Sequence, residues 1–205
     1  MIPMEDDRKE QLRQLCKELI RFKKSPLYKE RIQNKVFPVF GEGTHYAKVM
    51  FIGEAPGRTE AETGRPFAGA AGRILDQLLE SINISRKDVY ITNVVKDRPT
   101  NNRDPLPHEI ELYAPFLDRQ IEIIQPIIIC LLGRHSMKYI MQKFGLEAEM
   151  KPISTIHGKT FEVEMTYGKT KIMPLYHPAV ALYNPNEREA MIKDFKVLAK
   201  IIKNA

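Results

Sequence analysis

Three polar residues follow directly on short apolar runs. Glu54 follows KVMFIG (48–53) within GEAPG, Asn93 closes VYITN (89–93), and His177 follows KIMPLY (171–176) in HPA. A fourth run, IIICLLG (127–133), leads into Arg134-His135-Ser136. Brought together, a carboxylate, an amide and an imidazole make a polar site able to hold or move a proton and to form directed hydrogen bonds. Each residue also has a plain structural reading. Glu54 can cap a helix or pair with a lysine, Asn93 can bond its own backbone in a turn, and His177 can be a satisfied structural histidine. All three being structural at one place is the weaker reading. Several other chemistries lack their residues. No GxxxxGK[ST] loop follows a strand, GEAPG is not a dinucleotide fingerprint, and no G-x-S-x-G elbow or suitably placed cysteine supplies a nucleophile. No His/Asp/Glu spacing reads as a dedicated metal site.

The four runs are short, rich in β-branched residues and apolar on both faces, which suits strands of a buried parallel sheet. Helical periodicity fills the intervals at 70–81, 107–124 and 134–144, and again at 186–202, with Pro107 in a first turn and Asn186 as N-cap. An amphipathic helix is predicted over 6–22 from Leu12, Leu15, Leu19 and Ile20. Residues 160–165 alternate before the turn Tyr167-Gly168-Lys169, so a hairpin feeds the last strand. The alternation predicts a three-layer α/β/α sandwich with a mainly parallel, four-stranded central sheet, as one domain over 1–205 whose core runs roughly from 34 to 203. Ligands of such sheets bind beyond the carboxyl ends of the strands. Glu54, Asn93 and His177 fall there.

The chain has 205 residues, with 32 Lys plus Arg against 26 Asp plus Glu, a net charge of +6. That excess suits an anionic partner, nucleic acid first, although it also serves solubility. Two cysteines, Cys16 and Cys130, cannot build a four-thiolate cluster or a zinc ribbon. No apolar run approaches the roughly 18 residues needed to span a bilayer, and MIPMEDDRKEQ lacks a signal-peptide core. The expectation is a reduced, cytoplasmic monomer with no membrane attachment and nucleic acid as its first candidate partner.

Three segments carry a resemblance: GEAPGRTEAETGRPFAGAAGRILDQLL, ITNVVKDRPTNNRDPLP and YHPAVALYNP. In order and spacing they resemble the family 4 uracil-DNA glycosylases, over roughly residues 34–200. The resemblance implies an α/β/α fold and hydrolysis of the bond between uracil and deoxyribose, leaving an abasic site. It implies that Phe67 stacks on a flipped uracil beside Ala55, that Asn93 reads the base edge, and that His177 stabilises the departing base. Glu54 and Glu60 correspond to carboxylates of the water and sugar region. The glycine-rich turns holding Gly57 and Gly69 let backbone approach phosphates. Arg98 and Arg103 lie in a loop that either contacts phosphate or is a solvated turn. Ala179 and Leu182 belong to a segment like the family's insertion loop, with Leu182 or Tyr183 as the wedge.

The chain also departs from the pattern. Ala55 stands where some relatives carry a water-activating aspartate, and Gly57 where those relatives set an aromatic against the thymine methyl. Family 4 enzymes hold a four-iron, four-sulfur cluster on four cysteines. The matching positions here are Phe22, Ser25, Asp97 and Tyr113. The expectation is no cluster and no other cofactor, with Phe22 and Tyr113 packed in its place and Asp97 paired to an arginine or lysine. With no obvious lysine nucleophile in the motifs, the expected activity is monofunctional release of uracil from single- or double-stranded DNA. The alternatives are a glycosylase for another deaminated base such as hypoxanthine, or a non-catalytic uracil-DNA binder or scaffold.

Overall fold

The computed structural model describes residues 7–204, and in it the four apolar runs become strands β2 (Val49–Gly53), β3 (Tyr90–Asn93), β4 (Ile128–Leu132) and β6 (Gly168–Leu175). They pair in parallel in the order β3-β2-β4-β6. The sheet has six strands, which corrects the expected four. A two-residue strand β1 (Glu42–Gly43) pairs antiparallel with β3, and β5 (Phe161–Met165) forms the predicted hairpin with β6 and extends the other edge. Two residues carry no readable periodicity, so β1 had no signal. The alternation of 160–165 was read as a hairpin with the last strand, and that hairpin adds β5 to the count of the central sheet.

Pleating sends successive residues to opposite faces. Met50, Ile52, Ile129, Leu131 and Ile172 meet helices α5 (Pro107–Ile124) and α6 (Arg134–Lys143) on one side. Val49, Phe51, Ile91, Cys130 and Met173 meet α4 (Ala70–Glu80) and α8 (Pro185–Lys203) on the other. The three layers are those predicted. At the N-terminus α1 spans Arg8–Ile20, and Asp6, the predicted start, lies outside the described residues. The last helix has its N-cap two residues earlier than predicted. Its N-cap is Asn184, whose side chain accepts from the Asn186 N–H, with Pro185 at the first helical position.

A third, smaller cluster forms where α1, α2 (Pro26–Gln33) and α5 meet, and the four positions that match cluster ligands lie in or beside it. Phe22 packs edge-to-face on Tyr113 at 5.7 Å and on Phe116 at 5.1 Å. Ser25 caps α2 by accepting from the Leu27 N–H. Asp97 accepts from Arg31 at 3.1 and 3.3 Å and from the Tyr113 hydroxyl at 2.5 Å, all three side chains being buried. Iron–sulfur clusters are held by thiolates with occasional imidazole. A serine, a carboxylate and a phenol already engaged with one another do not fit such a group. Arg31→Met is expected to destabilise the fold by about 3–5 kcal/mol, because Asp97 would be left buried without its partner. Urea unfolding measures this, and an unchanged midpoint would contradict it.

Candidate active site

Beyond the carboxyl ends of β2 and β3 lies a cavity of about 450 Å³ lined by Ala55, Gly57, Glu60, Phe67, Ala71, Asn93, Asn102, His177 and Ala179. Its volume is that of a small-molecule site, about 300–1,000 Å³. The parallel register sets Gly53 beside Asn93. Asn93 is 2% exposed, and its side-chain amide has no hydrogen-bond partner among the described residues. The amide is therefore left open to the cavity, with its oxygen free to accept and its nitrogen free to donate to a ligand.

Phe67 faces the same cavity from a backbone at φ +48°, a region non-glycine residues seldom occupy. The conformation is held from outside. Arg86 donates to the carbonyls of Phe67 and Pro66, and α4 passes so close that a Cβ on Gly72 would lie 1.7 Å from the Phe67 oxygen. Gly53 is needed for the same economy of space. A Cβ there would sit 2.4 Å from Asn93 Oδ1 and 2.8 Å from Phe67 Cζ. Gly53→Ala is therefore expected to displace both rims of the cavity and reduce activity by about 10²-fold, the scale of a 1 Å misplacement. A turnover assay beside a thermal melt checks this, and wild-type turnover would refute it.

His177 opens the short helical turn 178–182, its ring centroid 5.6 Å from that of Phe67. The Ala179 N–H donates to Nδ1 at 3.2 Å, so the ring's proton belongs on Nε2. Burial pushes its pKa down to about 4, against the opposing pull of Glu60, and the imidazole is neutral at physiological pH. Glu60, on α3 (Arg58–Thr63), has a second task. Its Oε1 accepts from the backbone N–H groups of Ala68 and Gly69 at 2.9 and 2.8 Å, capping the start of α4, while Oε2 lies under Gly57. A carboxylate at that helix end is favoured by the helix dipole.

Glu54 lines a neighbouring cavity of about 290 Å³ that also reaches His177. Burial, then the charge of Asp104, raises its pKa to about 7, with Arg134 opposing. His135 Nε2 stands 3.8 Å from Glu54 and 3.2 Å from Asp104. The ligand atoms of Glu54, Asp104 and His135 all lie within 4.8 Å of one another, a grouping that distant residues 54, 104 and 135 gave no spacing to reveal. Arg134 already occupies it, donating to His135 at 2.9 Å and to Asp104 at 3.4 Å, and its guanidinium competes with any cation.

The remaining predicted positions surround the cavity. Gly57 and Gly69 are the N-cap residues of α3 and α4. Arg98 holds the Asn102 side-chain oxygen at 2.7 Å, and Asn101 and Asn102 both adopt left-handed backbone. Arg103 forms a two-pronged pair with Glu109, whose carboxylate also takes the Leu106 N–H at the start of α5. Leu182 and Tyr183 project beside the cavity's Ala179, 44% and 86% exposed. Asn102 and Ala71 line the cavity without having been assigned to it. Asn102 sat in a loop whose course no periodicity fixes, and Ala71 has no chemistry to advertise.

An unserved amide, an aromatic ring and a neutral imidazole at the open edge of a doubly covered parallel sheet make a site for a flat, polar heterocycle. The description "Uracil DNA glycosylase superfamily" matches residues 40–202. The chain is 46% identical to a "Type-4 uracil-DNA glycosylase" of Sulfurisphaera tokodaii over 93% of its own length and 84% of that protein. It is 44% identical to the protein of that name from Archaeoglobus fulgidus over 94% of both chains, and 39% identical to the one from Thermotoga maritima over 83% and 85%. The chain belongs to the uracil DNA glycosylase superfamily. Among the described residues no helix is long and apolar enough to cross a membrane.

Proposed function

We propose that this protein is a monofunctional uracil-DNA glycosylase, working without an iron–sulfur cluster or other cofactor. The observation that carries the reading is the buried Asn93 amide, unpartnered, in a cavity it shares with Phe67 and His177. Chemistry on a base requires its extrusion from the duplex, at a cost of a few kcal/mol. Asn93 then offers its oxygen to uracil N3–H and its N–H to O4. Cytosine reverses that pattern and leaves polar groups unpaired, at about 1–3 kcal/mol each. Phe67 supplies stacking worth roughly 1–3 kcal/mol.

In the reaction the C1′–N1 bond breaks, its electron pair leaves with uracil, and a water oxygen bonds to C1′ as one of its O–H bonds breaks, the released proton going to solvent and the uracil anion taking one up in turn. The sugar becomes cationic and the base anionic on the way. His177, neutral with its proton on Nε2, donates to the charge growing on O2, as oxyanion-hole donors do. Glu54, as a carboxylate, stabilises the cation or orients the water, while Glu60 shapes the loop beside them. Arg98 and Arg103 hold the 98–103 loop against DNA, and the glycine-rich turn at Gly57 lets backbone approach a phosphate, while the Gly69 amide is held by Glu60. Leu182 enters the base stack.

Because the Glu54 pKa is raised to about 7, its charged form appears only as pH rises through neutrality. The single-turnover rate is expected to climb across pH 7 and Glu54→Gln to flatten that climb. An identical profile in the variant would remove Glu54 from the chemistry. Specificity is tested with oligonucleotides carrying uracil, hypoxanthine, thymine or cytosine, with alkali revealing abasic sites. Release confined to uracil supports the reading. Preferential release of hypoxanthine would shift the substrate to another deaminated base, and binding without release would make the protein a uracil-DNA binder.

A further inference from the structure

Lys96 lies three residues beyond Asn93 and is wholly buried. Its amino group donates to three oxygens: the Asn93 carbonyl at 2.6 Å, Gln120 Oε1 at 2.6 Å and Thr92 Oγ1 at 2.7 Å. Those acceptors are themselves fixed. The Thr92 hydroxyl donates to the Phe40 carbonyl at 2.8 Å, and Gln120 Nε2 donates to the same carbonyl at 2.9 Å and to the Tyr90 hydroxyl at 3.0 Å. Three acceptors match the three hydrogens of an ammonium, whereas a neutral amine would leave one unserved. Burial works in the other direction, pushing the Lys96 pKa well below its usual value, with the charge of Asp118 opposing. No carboxylate pairs with Lys96 among the described residues.

The lysine sits where β3 ends. The Val94 N–H bonds the Gly53 carbonyl at 3.0 Å, and the Asn93 carbonyl of the same peptide bonds Lys96. That peptide plane is therefore pinned on both sides, which fixes the direction in which the Asn93 side chain leaves the backbone.

We propose that Lys96 is a positioning residue for base release: its ammonium locks the Asn93–Val94 peptide and leaves one unneutralised positive charge at the strand end where the departing base becomes an anion. The proposal rests on the glycosylase reading above. Lys96 itself touches no substrate and transfers no proton.

Two variants test it, Lys96→Met, which removes the charge, and Gln120→Glu, which keeps the lysine but gives it a counter-charge. The readouts are single-turnover uracil release, affinity for DNA carrying a non-hydrolysable 2′-fluoro-deoxyuridine, and the thermal midpoint. Lys96→Met is expected to slow release roughly 10- to 100-fold, less than the loss of a direct donor, with affinity changed by no more than about 3-fold. Gln120→Glu should slow it by about 10-fold on the same grounds. Gln120→Glu also loses the Nε2 donations to Phe40 and Tyr90, so it is read beside Gln120→Met, which loses the same donors and adds no charge. Wild-type rates in Gln120→Glu, or rates no slower than in Gln120→Met, would overturn the proposal. That comparison decides the matter if Lys96→Met does not fold. Absence of uracil release by the wild type would instead count against the glycosylase reading. The positioning claim is then read from the Asn93 side-chain amide resonances of the free protein. They shift in the variants if Lys96 holds the strand end, and unchanged resonances overturn the claim.

Discussion

Asn93→Ala is expected to lower uracil release by 10²-fold or more, about 2.7 kcal/mol of lost transition-state stabilisation, while leaving stability little changed. The two halves of that expectation have one cause. In the free protein the Asn93 amide faces the cavity and bonds to nothing described, so its removal breaks no hydrogen bond. In the complex the same amide is the group that pairs with N3–H and O4 of the base. A turnover assay and a thermal melt on one preparation check both halves. Reduced stability with intact turnover would make Asn93 a structural residue and dissolve the site.

His177→Ala should cost a similar factor, on the order of 10²-fold, because the Nε2–H donor acts on charge that appears only as the bond breaks. The loss is expected in the single-turnover rate and not in DNA affinity, since the interaction is weak in the ground state. Burial that holds the imidazole pKa near 4 adds a second expectation. The wild-type pH–rate profile should show no His177 ionisation near the ordinary value of about 6.5. Above its lowered pKa the ring remains a neutral donor throughout. A break near the ordinary value that vanishes in the variant would mean that the histidine works as an imidazolium.

The sequence was legible where one residue's type and its neighbours suffice. Apolar runs of five residues can only be buried strands if helices cover both faces, and the alternating sets Met50/Ile52 and Val49/Phe51 meet different layers as that requires. Glu54, Asn93 and His177 could be put at strand ends from the chain alone, although Glu54 lines the neighbouring cavity and not the one that Asn93 shares with His177. What could not be read depends on partners distant in sequence. Asp97 and Arg31 are 66 residues apart, Lys96 and Gln120 24 apart, and Glu54, Asp104 and His135 come from three separate loops or helix starts. Glu60 looked like a catalytic carboxylate, yet one of its oxygens caps α4, a task set by the path of the 57–69 loop. Lys96 read as one of many lysines until the fold enclosed it.

The most direct test of the account is base release from a labelled oligonucleotide with a single uracil, single-stranded and opposite G or A, in the presence of EDTA and beside Asn93→Ala. The account predicts strand cleavage by the wild type only after alkali, insensitive to chelation and lost in the variant. Retention of uracil under every condition, with the DNA still bound, would contradict it and leave a binding protein in its place.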